Sequence, residues 1–149
     1  MDYTILRYGS LYGQRADSSN GLLRIVQEAV EKGVIRYEGS PEAMREYIHV
    51  EDAARASVVA LGPEFCNSSV VLTGQEAMRV LDLLKMLAEI LGVTAPVEFV
   101  EAQSEGHYVR TPYAYQPKLG RKYVPPMHVD LGQGLLQLIG EIQKVKDKP

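Results

Sequence analysis

Met44–Ala56 reads MREYIHVEDAARA, and this stretch decides the fold. Glu46–Val50 has the alternation of an extended strand, with Tyr47 and His49 on one side and Ile48 and Val50 on the other. The acidic pair Glu51–Asp52 then opens a helix of small residues that includes Ala53, Ala54, Ala56 and Ser57. Carboxylates complement the positive end of a helix, and Asp52 is placed to cap its free amides. The small side chains predict close packing of that helix on whatever lies beneath it. Arg45, just ahead of the strand, is placed to reach an anion without being committed to a core. Its ordinary alternative is a solvated surface charge.

Upstream, Tyr3–Tyr8 (YTILRY) is a β-rich run followed by a Gly-punctuated loop, GSLYGQRAD. A strand that runs into such a loop brings side chains to the carboxyl edge of a sheet, where open α/β sheets take their ligands. Ser18, Ser19 and Asn20 offer caps for a helix whose apolar face is Leu22, Ile25, Val26, Ala29 and Val30. Gly33 suits the left-handed position that ends such a helix. Val34–Tyr37 reads as a short strand, and Gly39, Ser40 and Pro41 turn the chain into the opening stretch.

Downstream, Gly62–Pro63 stops the helix expected over Asp52–Leu61, and Ser69–Thr73 (SVVLT) reads as a buried strand ending at Gly74. Val80–Leu91 carries a stripe of Val80, Leu83, Leu84, Leu87 and Leu91 closed by Gly92, although Met78 and Arg79 provide no cap. Pro96–Val100 is a further strand. The tyrosine- and proline-rich run GHYVRTPYAYQPKLGRKYVPP reads as irregular, with aromatics that cover either a ligand or a core edge. A last helix, about Leu131–Val145, presents Leu135, Leu138, Ile139 and Ile142. Its Gly134 and Gly140 each cost about 1 kcal/mol relative to Ala, so it depends on tertiary packing.

Composition narrows the function. The 149 residues suffice for one domain, residues 1–143, with 144–149 a polar tail. A net charge of −3 and the absence of any long Lys/Arg run disfavour nucleic acid as a partner. No apolar run approaches membrane-spanning length and no secretory leader is present, so the expectation is a cytoplasmic protein. The single cysteine, Cys66, excludes an internal disulfide, suits a reducing compartment and reads as a packed thiol. His49, His107 and His128 are scattered without the spacing of a metal site, and neither a G-x-S-x-G elbow nor a P-loop occurs.

The pattern R-E-Y-I-H-V-x-D-x-A-x-A over Arg45–Ala56 resembles the C-terminal part of extended short-chain dehydrogenase/reductases, the NAD-dependent nucleotide-sugar epimerases and dehydratases. Arg7, Ser10, Tyr12, Gly13 and Gln14 are similar to that family's R-x-x-N-x-Y-G-P loop, with Ser10 in place of Asn and Gln14 in place of Pro. The resemblance implies an α/β fold: a remnant of a Rossmann-type sheet plus the small α/β substrate-binding domain. It implies a UDP-type nucleotide sugar held by Arg45 at the diphosphate, by Ser10 and Tyr12, and more remotely by His107 and Arg110. It further implies that Tyr8 and Gly9 border the nicotinamide of NAD, and that the whole enzyme epimerises a sugar by transient oxidation.

Two family features are missing. No stretch has the G-x-x-G-x-x-G spacing that carries a dinucleotide pyrophosphate, and no tyrosine has a lysine four residues on. The resemblance therefore covers about the C-terminal half of the family's length, and the chain alone is expected not to turn over, with no catalytic residue assigned. Two other readings stay open: a non-catalytic nucleotide-sugar-binding module, and a structural chain that completes a separate N-terminal half. An unpaired apolar strand at Tyr3–Tyr8 predicts self-association or a partner along that edge.

Overall fold

Two small cores, joined by a strand that belongs to both, make up this α/β protein. The structure, a computed structural model, describes residues 1–101 and 120–146. His107, Arg110 and most of the tyrosine-rich run therefore lie outside the described residues. In chain order the elements are β1 (Thr4–Tyr8), β2 (Ser10–Tyr12), α1 (Gly21–Lys32), β3 (Arg36–Glu38), β4 (Met44–Arg45), β5 (Tyr47–His49) and α2 (Val50–Val59). After a 3-10 turn at Pro63–Phe65 come β6 (Ser68–Leu72), β7 (Met78–Arg79), α3 (Val80–Leu91), β8 (Glu98–Val100), β9 (Arg121–Tyr123) and α4 (Leu131–Lys146).

The main sheet is parallel, in the order β1-β6-β9, and open rather than closed into a barrel. Its central strand β6 buries Val70, Val71 and Leu72, the short apolar run typical of a strand in a parallel sheet. On one face lies α2, whose Ala53, Ala56 and Ala60 pack with Ile48, Phe65, Val70 and Leu72. Alanine on the inner face lets the helix approach the sheet closely, as the small-residue pattern predicts.

The second core is helical. Leu22, Leu23, Val26 and Ala29 of α1 meet Leu83, Leu84 and Leu87 of α3 and Leu135, Leu138 and Ile139 of α4. Asn20 caps α1 by accepting from the Leu23 N–H at 3.0 Å, and Gly33 closes it in the left-handed region (φ 66°). The missing cap of α3 has a physical answer. Its first amides donate to the backbone instead, Val80 N–H to the Ala43 carbonyl at 2.8 Å and Leu81 N–H to that of Pro41 at 3.2 Å.

Several expectations need correction. The loop GSLYGQRAD contains a strand, because after Gly9 the chain leaves β6 and pairs β2 in parallel with β5. Arg121–Tyr123, expected to be irregular, is the third strand of the main sheet, where Tyr123 packs edge-on to Phe65 at 5.7 Å. Val50 is the first residue of α2 rather than the last of a strand. Cys66 is exposed, since the turn at Pro63–Phe65 gives the buried place to Phe65. The last helix, expected to about Val145, runs to Lys146.

The partner switch at Gly9 brings three backbones together. Gly9 N–H donates to the Leu72 carbonyl at 2.8 Å, and Ser10 N–H to the Glu46 carbonyl at 2.9 Å. A side chain at Gly9 would sit 2.9 Å from the Glu46 oxygen, and one at Gly74 would collide with the Tyr47 carbonyl. Since backbone cannot yield as a side-chain tip can, Gly74→Ala is expected to destabilise the fold by about 2 kcal/mol or more in urea unfolding. A change within about 0.5 kcal/mol would refute this close approach.

Candidate functional site

A cleft of 720 Å³ lies where α1, the loop before it, β2, β3 and the β4–β5 segment meet. That is ample volume for a nucleotide-sized ligand. Ser10 and Leu11 of β2, with Arg45 and Tyr47 of the crossing segment, form one part of its lining. Arg36, Tyr37 and Glu38 of β3 form another, and Arg15, Ala16, Asp17 and the start of α1 a third.

Arg45 is half-buried. Its guanidinium donates to the Met44 carbonyl at 2.9 Å and to the Tyr37 hydroxyl at 3.4 Å. These bonds hold a cation at the cleft wall. Tyr37 is backed edge-on by Phe99 of β8 at 6.2 Å between ring centres. The partner strand fixes the ring, as aromatic edge-to-face packing does. Tyr47 meets Tyr12 edge-on at 6.2 Å. Burial pushes the Tyr47 phenol well above its ordinary pKa; the neighbouring Tyr37 adds to the shift and Arg45 opposes it.

The expected site residues separate into two groups. Arg45 and Ser10 line one cleft although they come from distant parts of the chain. Tyr12 does not line it: the residue is 3% exposed and belongs to the helical core, with its ring against His49 at 5.2 Å and its hydroxyl facing Gly134 of α4. Gly134 is thus the space that Tyr12 needs, which explains a glycine in a buried helix turn. Desolvation raises the Tyr12 pKa further, helped by the charges of Asp52 and Asp130.

Asp52 does not cap α2. Its carboxylate is buried, accepts the distant Val129 N–H at 2.8 Å and pairs with Arg55 at 2.6 Å, so it ties α2 to the approach of α4. The cap falls to His49, whose Nδ1 accepts from the Glu51 N–H at 3.4 Å. That assignment leaves the proton on Nε2, which has no hydrogen-bond partner among the described residues.

Tyr8 and Gly9, expected to border the nicotinamide, lie apart from the cleft. The Tyr8 hydroxyl is 2.6 Å from Ser57 Oγ, and the space beside Gly9 is filled by the Glu46 carbonyl and the Thr73 side chain. The crossing segment Glu46–Tyr47 thus packs against the ends of β1 and β6. Sequence reasoning overlooked Tyr37, Arg15, Arg24 and Arg36 in the cleft. The signal for Tyr37 was its place in a short strand, two residues ahead of Gly39 in the turn that leads to Arg45.

Residues 1–67 match the model of the NAD dependent epimerase/dehydratase family. Among curated proteins no sequence matches the chain. The fold is similar to UDP-glucose 4-epimerase of Thermotoga maritima, solved with UDP-glucose. The identity is 24% and the TM-score 0.78, over 99% of this chain and 48% of that one. It is also similar to UDP-glucuronic acid 4-epimerase of Bacillus cereus, solved with UDP-glucuronic acid and NAD. There the identity is 23% and the TM-score 0.76, over 95% of this chain and 45% of that one. The epimerase Mth375 of Methanothermobacter thermautotrophicus shares the fold at 12% identity and a TM-score of 0.74. The chain spans about half the length of these solved structures. No helix among the described residues is long and apolar enough to cross a membrane.

The two buried phenols make a prediction about pH. A phenol whose folded pKa is raised above the unfolded value of about 10 adds stability below pH 10 that is lost as pH rises beyond it. Stability is expected to fall steeply above pH 10, with two tyrosines ionising, by absorbance near 295 nm, only as the chain unfolds. Tyr12→Phe and Tyr47→Phe should each flatten that fall. Ionisation of every tyrosine near pH 10 in the folded protein would contradict the burial.

Proposed function

We propose that this chain is the nucleotide-sugar-binding half of an NAD-dependent epimerase resembling UDP-glucose 4-epimerase, and that its cleft takes a UDP-type nucleotide sugar. The observation that carries this reading is the meeting of Arg45 and Ser10, the two residues expected at a diphosphate, in one cleft beside an aromatic ring. Arg45 clamps the diphosphate through charge-assisted hydrogen bonds, and the Ser10 hydroxyl donates one more. Tyr37, fixed by Phe99, offers its face to the base, a contact that every base accepts. Tyr12 supports the site from the core by packing against Tyr47. His107 and Arg110 are retained as outer candidates.

In the complete enzyme NAD supplies the hydride acceptor and donor. This chain contributes binding and orientation, and it does not turn over alone, because none of its tyrosines has the lysine that would lower the phenol pKa for proton transfer. The location proposed is the cytoplasm.

A second reading rests on the edge of the main sheet. Among the described residues β1 pairs only with β6, and Tyr3 and Ile5 are about half exposed beside it. Parallel sheets are ordinarily covered on both faces, so this edge suits a second copy of the chain or a separate N-terminal half.

Isothermal titration with UDP-glucose tests the main reading. Saturable binding is expected, weakened about tenfold or more in Arg45→Gln, with urea stability retained because the side chain is only half-buried. Absence of binding, or unchanged affinity in the variant, would overturn it. Sedimentation across a hundredfold concentration range addresses the second reading, which a monomer throughout would contradict for the self-pairing form.

A further inference from the structure

A smaller groove of 280 Å³ lies between α1 and the last turns of α4. Its apolar wall continues the core stripe of α4 past the point where the rest of the molecule covers it. Leu138 is 2% exposed, Ile142 is half-buried and Val145, further along, is 75% exposed. With the charged Glu141 and Lys146 these residues take the i, i+3, i+4, i+7 and i+8 positions of one helix face. The groove is smaller than the roughly 300–1,000 Å³ of sites for drug-sized ligands, so it suits the side chains of a protein partner.

The charges in the groove say what that partner carries. Arg15 and Lys146 are basic, Glu31 and Glu141 are acidic, and all four line it. Among the described residues none of the four forms an ion pair, whereas Glu28, one turn before Glu31, is taken by Lys32. A balanced, unpaired set calls for a surface that bears both signs, and a second copy of this chain bears the same set. On α4 the order EIQKVK over Glu141–Lys146 is its own complement when two such helices run antiparallel. A two-fold axis between Gln143 and Lys144 sets Glu141 against the partner's Lys146 and Ile142 against the partner's Val145, each contact made twice.

We propose that this chain forms a two-fold dimer through the α1–α4 groove, with antiparallel α4 helices that bury Val145 and pair Glu141 with the partner's Lys146. No residue of β1 lines this groove, so the surface is separate from the sheet edge. The inference does not rest on the nucleotide-sugar reading of the cleft.

Sedimentation equilibrium of the full chain, from micromolar to millimolar concentration, is the test. A monomer–dimer equilibrium is expected, weakened about tenfold in Glu141→Lys and in Lys146→Glu, each of which sets like charges together twice. Recovery is expected in the double variant Glu141→Lys/Lys146→Glu. It is also expected in an equimolar mixture of the two single variants, where every facing pair is again opposite in sign. A mixture that associates more tightly than either variant alone is a result that misfolding cannot give. A monomer at every concentration would overturn the inference, as would single variants that weaken the dimer with no recovery in the mixture. A dimer that both single variants leave unchanged would also overturn it and assign self-association to another surface, such as the β1 edge.

Discussion

The structure depends on one close approach of backbones, where Gly9–Ser10, Glu46–Tyr47 and Thr73–Gly74 meet. At that point the chain after β1 gives up its partner in the main sheet and takes a new one in β5. The switch works only if nothing larger than hydrogen projects from Gly9 or Gly74 into the Glu46 and Tyr47 carbonyls. Two consecutive amides are satisfied on opposite sides, Gly9 by Leu72 and Ser10 by Glu46, so no buried polar group is stranded by the change. The same crossing brings Ser10 and Leu11 beside Arg45 and Tyr47 in the wall of the cleft. The position of the site is therefore a consequence of sheet topology.

Charge reinforces this junction unevenly. Glu46 is buried between the two cleft residues Arg45 and Tyr47, and Lys122 of β9 reaches it at 3.2 Å. Because the lysine is 41% exposed, water screens the pair, and its worth is nearer the roughly 1 kcal/mol of a surface bridge than that of a buried one. Asp52 does more. It is sheltered on both oxygens and holds a backbone N–H from the segment before α4, a charge-assisted bond worth about 1.5–3 kcal/mol. The helical core and the sheet core are thus linked through β5, through Asp52 and through the Tyr12 ring.

The elements with strong periodicity were legible in the sequence. The Val80–Leu91 helix has the bounds its leucine stripe gave, and the helix after Asn20 starts and stops at the capping residues that short polar and glycine side chains announce. The alternation in Tyr47–His49 was also correct: Tyr47 and His49 meet Tyr12, while Ile48 enters the other core. The misses share a cause. Ser10–Tyr12 and Arg121–Tyr123 are three-residue strands whose pairing partners lie far away in the chain, and short segments carry too little periodicity to declare themselves. Tyr12 looked like a loop residue for the same reason. Asp52 looked like a cap because a carboxylate in a first turn usually is one; the competing demand came from Val129, which no local pattern signals. Of the site, Arg45 and Ser10 were readable through a motif, whereas Tyr37, Arg15 and Arg24 join it only through tertiary packing.

The claim that most needs a direct measurement is that the crossing segment and β2 present one ligand site. The measurement is the backbone amide spectrum of isotope-labelled protein titrated with UDP-glucose. Saturable shifts are expected at Ser10–Leu11, Tyr37 and Arg45–Tyr47, with the edge strand at Thr4–Tyr8 unmoved. A folded spectrum in which those cleft amides stay silent, or in which shifts gather at Tyr8–Gly9 instead, would contradict it.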